Sequence, residues 1–341
     1  MAFLLQKVGV NKCFEILGMC WDNHYLCIIK LNHMETSFKS KLELVRYYAD
    51  EDNCKKLLAQ QRWSNGVTCP HCNHNKVYTT NRGYKCANKE CYKKFTVITG
   101  TIFENTKIPL NKWFEAIFVI TAHKKGISSH QLAKDIDVSQ KTAWFILHRV
   151  REMLKEKNPT LLSGTVQLDE SYVGGKLKYK HKSQRVNQKP GRGSQNKTMV
   201  FGLLQNDGNV HAEMVPATTN QNLFPIMFNR VEKGSTIVTD GYHIYKRLAG
   251  NYKHVVVDHN KDEYVSPDGF HTNSIEGYWS LLKRGIIGIY HQVSPKHLSR
   301  YCDEFSFRYN TRRLTDVERF NNVLQASEGR LKWDRLVATK K

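Results

Sequence analysis

Two short apolar runs that each end on an aspartate constrain this chain more than any other feature. One is Thr165-Val166-Gln167-Leu168-Asp169 and the other Thr236-Ile237-Val238-Thr239-Asp240. Runs this short and this rich in β-branched residues read as buried strands. A third acid, Glu276, lies in a helix-like stretch and is followed seven residues later by Lys283. Carboxylates at two strand ends and on one helix can converge on two divalent cations. Such a pair clamps the attacking and leaving oxygens of an in-line phosphoryl transfer.

The surrounding pattern is that of an α/β domain. Strands are expected at 166–169, 199–204, 210–215, 237–240 and 255–258, and helices at 220–231, 242–249, 272–283 and 295–310. Asn206-Asp207-Gly208-Asn209 signals a hairpin. Three strands on short connections, followed by strand–helix alternation, give a mixed sheet flanked by helices. Upstream, 39–61 reads as helical, with Leu42, Val45, Leu57 and Leu58 as apolar markers, and helices recur from 109 to about 157, where Asn158-Pro159 breaks them. The organisation expected is an extension over 1–38, a helix plus cysteine ribbon over 39–98, a helix-turn-helix over 99–160, the mixed-sheet domain over 163–313 and a tail over 314–341. No run approaches the ~20 apolar residues of a membrane span. The first 31 residues lack a signal-peptide core and cleavage site, and Cys13, Cys20 and Cys27, at heptad spacing, imply no chemistry. Met34 opens a charged, helix-like segment and is the expected translation start, which a native peptide from before Met34 would refute.

Of nine cysteines, four are paired at short spacing: Cys69-Pro70-His71-Cys72 and, thirteen residues on, Cys86-Ala87-Asn88-Lys89-Glu90-Cys91. Two short loops that each offer two thiolates make a tetrahedral zinc site. The pattern is not a disulfide framework, and it implies a reducing compartment. His71 and His74 are nearby alternative ligands, but four thiolates already complete the shell, so the expected site is structural. Four unrelated thiols would be the plainer reading; the pairing disfavours it.

A formal net charge of +21 favours a polyanionic partner. Ser128 and Gln131 have capping-box spacing, Asp137-Val138-Ser139 makes a short turn, and Ser139 can cap a second helix through about Met153. Ala143, Trp144, Leu147 and Val150 form its inner face, which leaves Gln140, Lys141, Thr142, Arg149 and Arg151 for solvent or DNA. The spacing is that of a helix-turn-helix, although a purely structural helical hairpin would look the same. Between Gly174 and Thr198 stand Lys176, Lys178, Lys180, Lys182, Arg185, Lys189, Arg192 and Lys197, with no acid among them. Such runs are usually solvated loops, but this one begins five residues after Asp169 and so reads as phosphate-binding. Tyr172, Tyr179 and Tyr290 could stack on bases or pack in a core. In 272–286, Ile275, Trp279, Leu282 and Ile286 form an apolar stripe, beside a polar one of Asn273, Glu276, Ser280 and Lys283. One helix can thus present a metal-binding carboxylate and, about 10 Å along, a cation for a phosphate, with Arg284 next to it. The plainer reading is an amphipathic surface helix.

Several of these motifs together resemble one family. Leu168-Asp169-Glu170-Ser171-Tyr172-Val173-Gly174-Gly175, Thr239-Asp240-Gly241-Tyr242 and the stretch from His271-Thr272-Asn273 through Glu276 to Lys283-Arg284-Gly285 are similar to the ISXO2-like (IS1595) insertion-sequence transposases of bacteria, which are related to the eukaryotic Merlin elements. Thr99-Gly100-Thr101-Ile102-Phe103, Tyr290-His291, Phe305-Ser306-Phe307-Arg308-Tyr309-Asn310 and the cysteine ribbon share the resemblance, which runs from about Leu42 to Arg313. It implies a ribonuclease H-like catalytic fold with an Asp-Asp-Glu triad at Asp169, Asp240 and Glu276, and Lys283 as a trailing basic residue. Strand alternation turns Glu170 to the other face. The implied function is a DNA transposase that cleaves element ends and joins them to target DNA with two Mg²⁺ or Mn²⁺ ions, besides a structural Zn²⁺. The implied partners are double-stranded DNA, at terminal inverted repeats and target, and a second copy of the chain or more. The implied location is the cytoplasm, at the bacterial nucleoid. Two alternatives stay open: a zinc-ribbon and helix-turn-helix regulator with an inactive nuclease-like domain, and a structure-specific nuclease.

Overall fold

A computed structural model describes residues 38–175, 197–241, 244–245, 252–257 and 264–338. Met34, the basic stretch from Lys176 to Arg192, Tyr179 and most of the helix expected at 242–249 lie outside the described residues.

The single helix expected over 39–61 is two, α1 (Lys41–Tyr47) and α2 (Glu51–Arg62). Asp50 breaks it: its backbone is extended, and its carboxylate accepts from the Asp52 N–H at 2.9 Å, a side-chain cap that starts a new helix. Leu42 and Val45 consequently face outward, and Leu44 is the buried residue of α1. The ribbon follows, with β1 (Val77–Thr80), β2 (Gly83–Cys86) and β3 (Lys94–Phe95) paired antiparallel in that order. Its interior is only Cys69, Cys86 and Phe95, flanked by Trp63, Val67, Val77, Tyr84 and Cys91.

Helix α3 (Leu110–Ala122) is apolar on nearly every side and is buried from Trp113 to Thr121 apart from Glu115. A helix without a polar face must be covered all round. The pair α4 (Ser129–Asp135) and α5 (Gln140–Leu154) has the caps expected of it: Ser128 Oγ accepts from the Gln131 N–H at 3.1 Å and Ser139 Oγ from the Thr142 N–H at 3.2 Å. Asp137, at φ 49°, makes the turn between them.

Five strands form the large sheet: β4 (Thr165–Val173), β5 (Thr198–Gln205), β6 (Val210–Val215), β7 (Thr236–Asp240) and β8 (Lys253–Val257), in the order β6-β5-β4-β7-β8. The first three are antiparallel neighbours; the expected hairpin at 206–209 joins β5 to β6, whereas residues 174–197 separate β4 from β5, a longer connection than the short one expected, and β7 and β8 run parallel to β4. This is the ribonuclease H-like arrangement. One face packs on α6 (Asn220–Arg230) through Val166, Leu168, Phe201, Leu223 and Met227. The other packs on α7 (Asn273–Gly285) and α8 (Pro295–Asn310) through Val200, Leu204, Ile275, Trp279 and Phe305. A π-helical turn, Ile286–Tyr290, continues α7. The segment set apart in sequence as a tail contains α9 (Asp316–Gln325) and α10 (Trp333–Val337). Phe320 of α9 packs on Phe114 and Phe118 of α3, and so supplies cover for that all-apolar helix.

Candidate active site

The two aspartates meet where the sheet opens. Strand β4 pairs in parallel with β7 only as far as Gln167↔Val238, whereas β5 stays paired with it to Val173↔Thr198. Asp169 therefore lies inside a longer strand than its apolar run suggested, because the antiparallel partner carries β4 onward after β7 has parted from it. Continued by two residues, the β4–β7 register sets Asp169 beside Asp240, the last residue of β7. Two residues is one strand period, so both share the face of Gln167 and Val238. A crevice at the carboxyl ends of parallel strands is where open α/β sheets take their ligands.

Helix α7 brings the third acid to that crevice. Trp279, 4% exposed, donates its indole N–H to Asp169 Oδ2 at 2.9 Å. Glu276 stands one turn earlier on the same helix, exposed, with the Thr272 hydroxyl 3.5 Å from its Oε1. Burial pushes the Asp169 carboxyl up to about 6; hydrogen bonds from the Glu170 backbone and the indole pull it back, and the charges of Asp240 and Glu276 add to the rise. Asp169 thus feels both of the other carboxylates. Glu170 does face the other way, accepting from the Tyr245 hydroxyl.

Gly202, which the sequence reading passed over, makes the indole contact possible. It pairs with Asp169 across β4–β5, and a Cβ there would lie 2.6 Å from Trp279 Cζ2. In the sequence Trp279 is one more apolar residue of a stripe. Its spacing showed that it was buried, but not that its N–H ends on a carboxylate.

Lys283 and Arg284 are exposed and line a groove of about 650 Å³ with Ser280, Ile287 and Gly288. Lys141 is exposed near the start of α5, its ammonium 5.0 Å from the Trp333 ring centroid. Arg149 and Arg151, expected on the solvent face of α5, are buried instead. Arg149 Nε donates to the Leu331 carbonyl at 3.2 Å and its guanidinium stacks on Phe145; Arg151 Nε donates to Glu304 at 2.7 Å. The covering residues come from about 150 to 180 positions downstream, so no local helix pattern could show them. Only the first turn of α5, at Gln140, Lys141 and Thr142, is left open to solvent among the cations and polar groups assigned there. Tyr290 is a packing residue, its hydroxyl donating to Glu304 Oε1 at 2.6 Å, and Tyr172 packs against the α6 side of the core.

The four cysteine sulfurs lie within 4.8 Å of one another, with Cys69–Cys91 at 3.9 Å and Cys72–Cys86 at 3.5 Å. A tetrahedral ion with Zn–S bonds of about 2.3 Å requires S···S edges of about 3.8 Å, so the quartet fits one. Among the described residues no other group of three or more acidic, histidine or cysteine ligands draws in that closely, and the three carboxylates stand wider.

Comparison with known proteins decides the family. A model described as an ISXO2-like transposase domain matches residues 161–310, and one described as a transposase zinc-ribbon domain matches 49–94. The chain is 31% identical, over 297 residues, to a protein of Halobacterium salinarum described as an uncharacterized protein in transposable element ISH50, an alignment covering 83% of this chain and 99% of that one. The chain belongs to the ISXO2-like transposase family. The transposase-domain match takes in the whole large sheet with α7 and α8, and the ribbon match all four cysteines. Solved structures matched by this transposase family member include a pre-cleavage Mos1 transpososome (15% identity, 67% of this chain and 82% of that one, TM-score 0.24) and a Mos1 paired-end complex with the left transposon end (14% identity, 63% and 79%, TM-score 0.25). Among the described residues no helix is long and apolar enough to cross a membrane.

Proposed function

We propose that this protein cleaves the ends of a DNA element and joins them to target DNA, with Asp169, Asp240 and Glu276 holding two Mg²⁺ or Mn²⁺ ions. The observation that carries the reading is that the β4–β7 register, continued past its last pair at Gln167↔Val238, sets Asp169 beside Asp240 at the splayed end of the two strands, under a helix tied to Asp169 by its own tryptophan. The donor set fits: oxygen ligands suit hard cations, and a carboxyl raised by burial and by two neighbouring charges marks negative density that cations would neutralise. When bound, the pair would activate a water or 3′-hydroxyl nucleophile and stabilise the leaving oxygen.

The chain's own residues supply the positioning. Lys283 and Arg284, beyond Glu276 on α7, hold phosphates of the strand that enters the crevice, and the basic stretch with Lys176, Lys178, Lys180, Lys182 and Arg185 adds to that hold. The ribbon, held by one Zn²⁺ on Cys69, Cys72, Cys86 and Cys91, and the open first turn of α5 with Lys141 recognise the terminal repeats. Joining two ends calls for at least two copies in the working complex. Such work on chromosomal DNA places the protein in the cytoplasm, at the nucleoid.

The test is Mg²⁺-dependent cleavage and joining of a labelled duplex taken from the end of the surrounding element, comparing wild type with Asp169→Asn and Glu276→Ala. Joined product is expected from wild type alone. Undiminished joining by Asp169→Asn overturns the reading. Cleavage without joining by the wild type would indicate a nuclease, and binding without cleavage a regulator.

A further inference from the structure

Gln167 lies on β4, the central strand of the sheet, between Leu204 of β5 and Val238 of β7, and is 1% exposed. A polar side chain in such a place is costly unless its hydrogen bonds are made. Both ends of this amide are bonded. Oε1 accepts from the backbone N–H of Ile275 at 3.0 Å, and Nε2 donates to Asn206 Oδ1 at 3.1 Å. Ile275 is in the first turn of α7, where the side chain of the N-cap residue Thr272 makes no capping hydrogen bond to a first-turn N–H. First-turn N–H groups have no partner within a helix, so the sheet supplies an acceptor that the helix lacks.

We propose that Gln167 is a positioning residue, setting the height at which α7 presents Glu276 to Asp169; the proposal rests on the metal-binding reading above. The bond joins the residue two before Asp169 to the residue just before Glu276. One turn further along α7, the Trp279 indole donates back to Asp169. Two ties about a turn apart fix both the sliding and the rotation of the helix on the strand, and Glu276 lies between them. Asn206 completes the device. Its own N–H is held by the Thr165 carbonyl at 2.8 Å, so the hairpin turn is anchored to β4 beside Gln167. A backbone N–H can only donate, so the amide oxygen must face Ile275, and the Asn206 oxygen holds the amide that way round.

The test uses the full chain with Mn²⁺ as probe, read by electron paramagnetic resonance, beside amide exchange of the α7 first turn in metal-free protein and binding of the element-end duplex. Gln167→Met keeps the length and removes both bonds; Gln167→Glu keeps the acceptor. Gln167→Met is expected to weaken Mn²⁺ binding about tenfold or more, the usual size for an outer-shell support. It should also speed exchange at Ile275 and leave duplex binding within about twofold, with Gln167→Glu restoring the metal affinity. A folding defect would instead lower duplex binding as well. In that event Asn206→Ala, at an exposed position, must still weaken Mn²⁺ binding, and an unchanged affinity overturns the inference. So does Gln167→Met binding Mn²⁺ as wild type does. Wild-type Mn²⁺ binding that Asp169→Asn leaves intact would instead overturn the metal reading, and this inference with it.

Discussion

At the scale of single residues, the site depends on a missing side chain. Gly202 faces Asp169 across the ladder, and the Trp279 ring occupies the place of its Cβ. Gly202→Ala should therefore push the indole off Asp169, at a cost of about 1–3 kcal/mol for overpacking. Urea denaturation checks the stability, and joining should fall with it. Trp279→Phe tests the other half of the contact: it removes the N–H together with the outer ring atoms that lie against the glycine. The lost bond to the charged carboxylate should cost about 1.5–3 kcal/mol, the space left beside Gly202 adds to that, and duplex binding should be unchanged. Asp169, Asp240 and Glu276 were legible in the sequence because each is a charge set against an apolar period. Gly202 and Gln167 were not, because their partners lie across strands, and Trp279 was legible as buried but not as a donor. Arg149 and Arg151 were misread for the same reason: the helical pattern around them is correct, and what buries them is far away in the chain.

Individual elements were readable wherever the period was strong. Strands 210–215 and helix 295–310 have the limits their patterns gave, while β4 is longer than its apolar run because an antiparallel neighbour extends it. The split between α1 and α2 was lost in a run of polar residues in which Asp50 looked like any other. The ribbon is the element least able to stand alone. Its interior of two cysteines, a phenylalanine and a few flanking side chains is small for three short strands, so a zinc ion on the four cysteines would contribute folding free energy. Chelation, or Cys72→Ser, is expected to remove about one zinc per chain and to abolish amide protection in β1–β3 while β4–β8 keep theirs. Hydrogen exchange followed by mass spectrometry reads both regions in one experiment. Equal loss of protection in the large sheet would show that the ribbon is not an independent metal-folded unit.

For the molecule as a whole, a buried acid ties the helical region to the large sheet. Glu304 of α8 accepts from Arg151 of α5 at 2.7 Å, from Arg308 at 2.6 Å and from Tyr290 of the π-helical turn at 2.6 Å, while Arg308 reaches on to the Ile120 carbonyl of α3 at 2.9 Å and to the His123 carbonyl. Burial alone would raise the Glu304 carboxyl, but the Arg151 and Arg308 charges, with the bonds from Arg308 and Tyr290, outweigh it and hold the group down at about 2. The sign of the pH dependence follows. A carboxyl lower in the folded chain than its unfolded value of about 4.3 contributes stability above that value and loses it as pH falls toward 2. Glu304→Gln leaves two guanidiniums without their buried counter-charge and should cost about 3–5 kcal/mol at pH 7. In urea titrations at pH 7, 4 and 3, the gap between wild type and mutant should narrow as the pH drops. A constant gap would mean that the carboxylate charge does not hold these parts together. The same cluster places the end of α5 against the turn that follows α7. The proposed reading of DNA by the start of α5, with cleavage beside Glu276, would need those helices in fixed relation. Glu304→Gln protein, assayed where it is still folded, should then lose joining by a larger factor than it loses duplex binding. Equal losses would assign the cluster to stability alone.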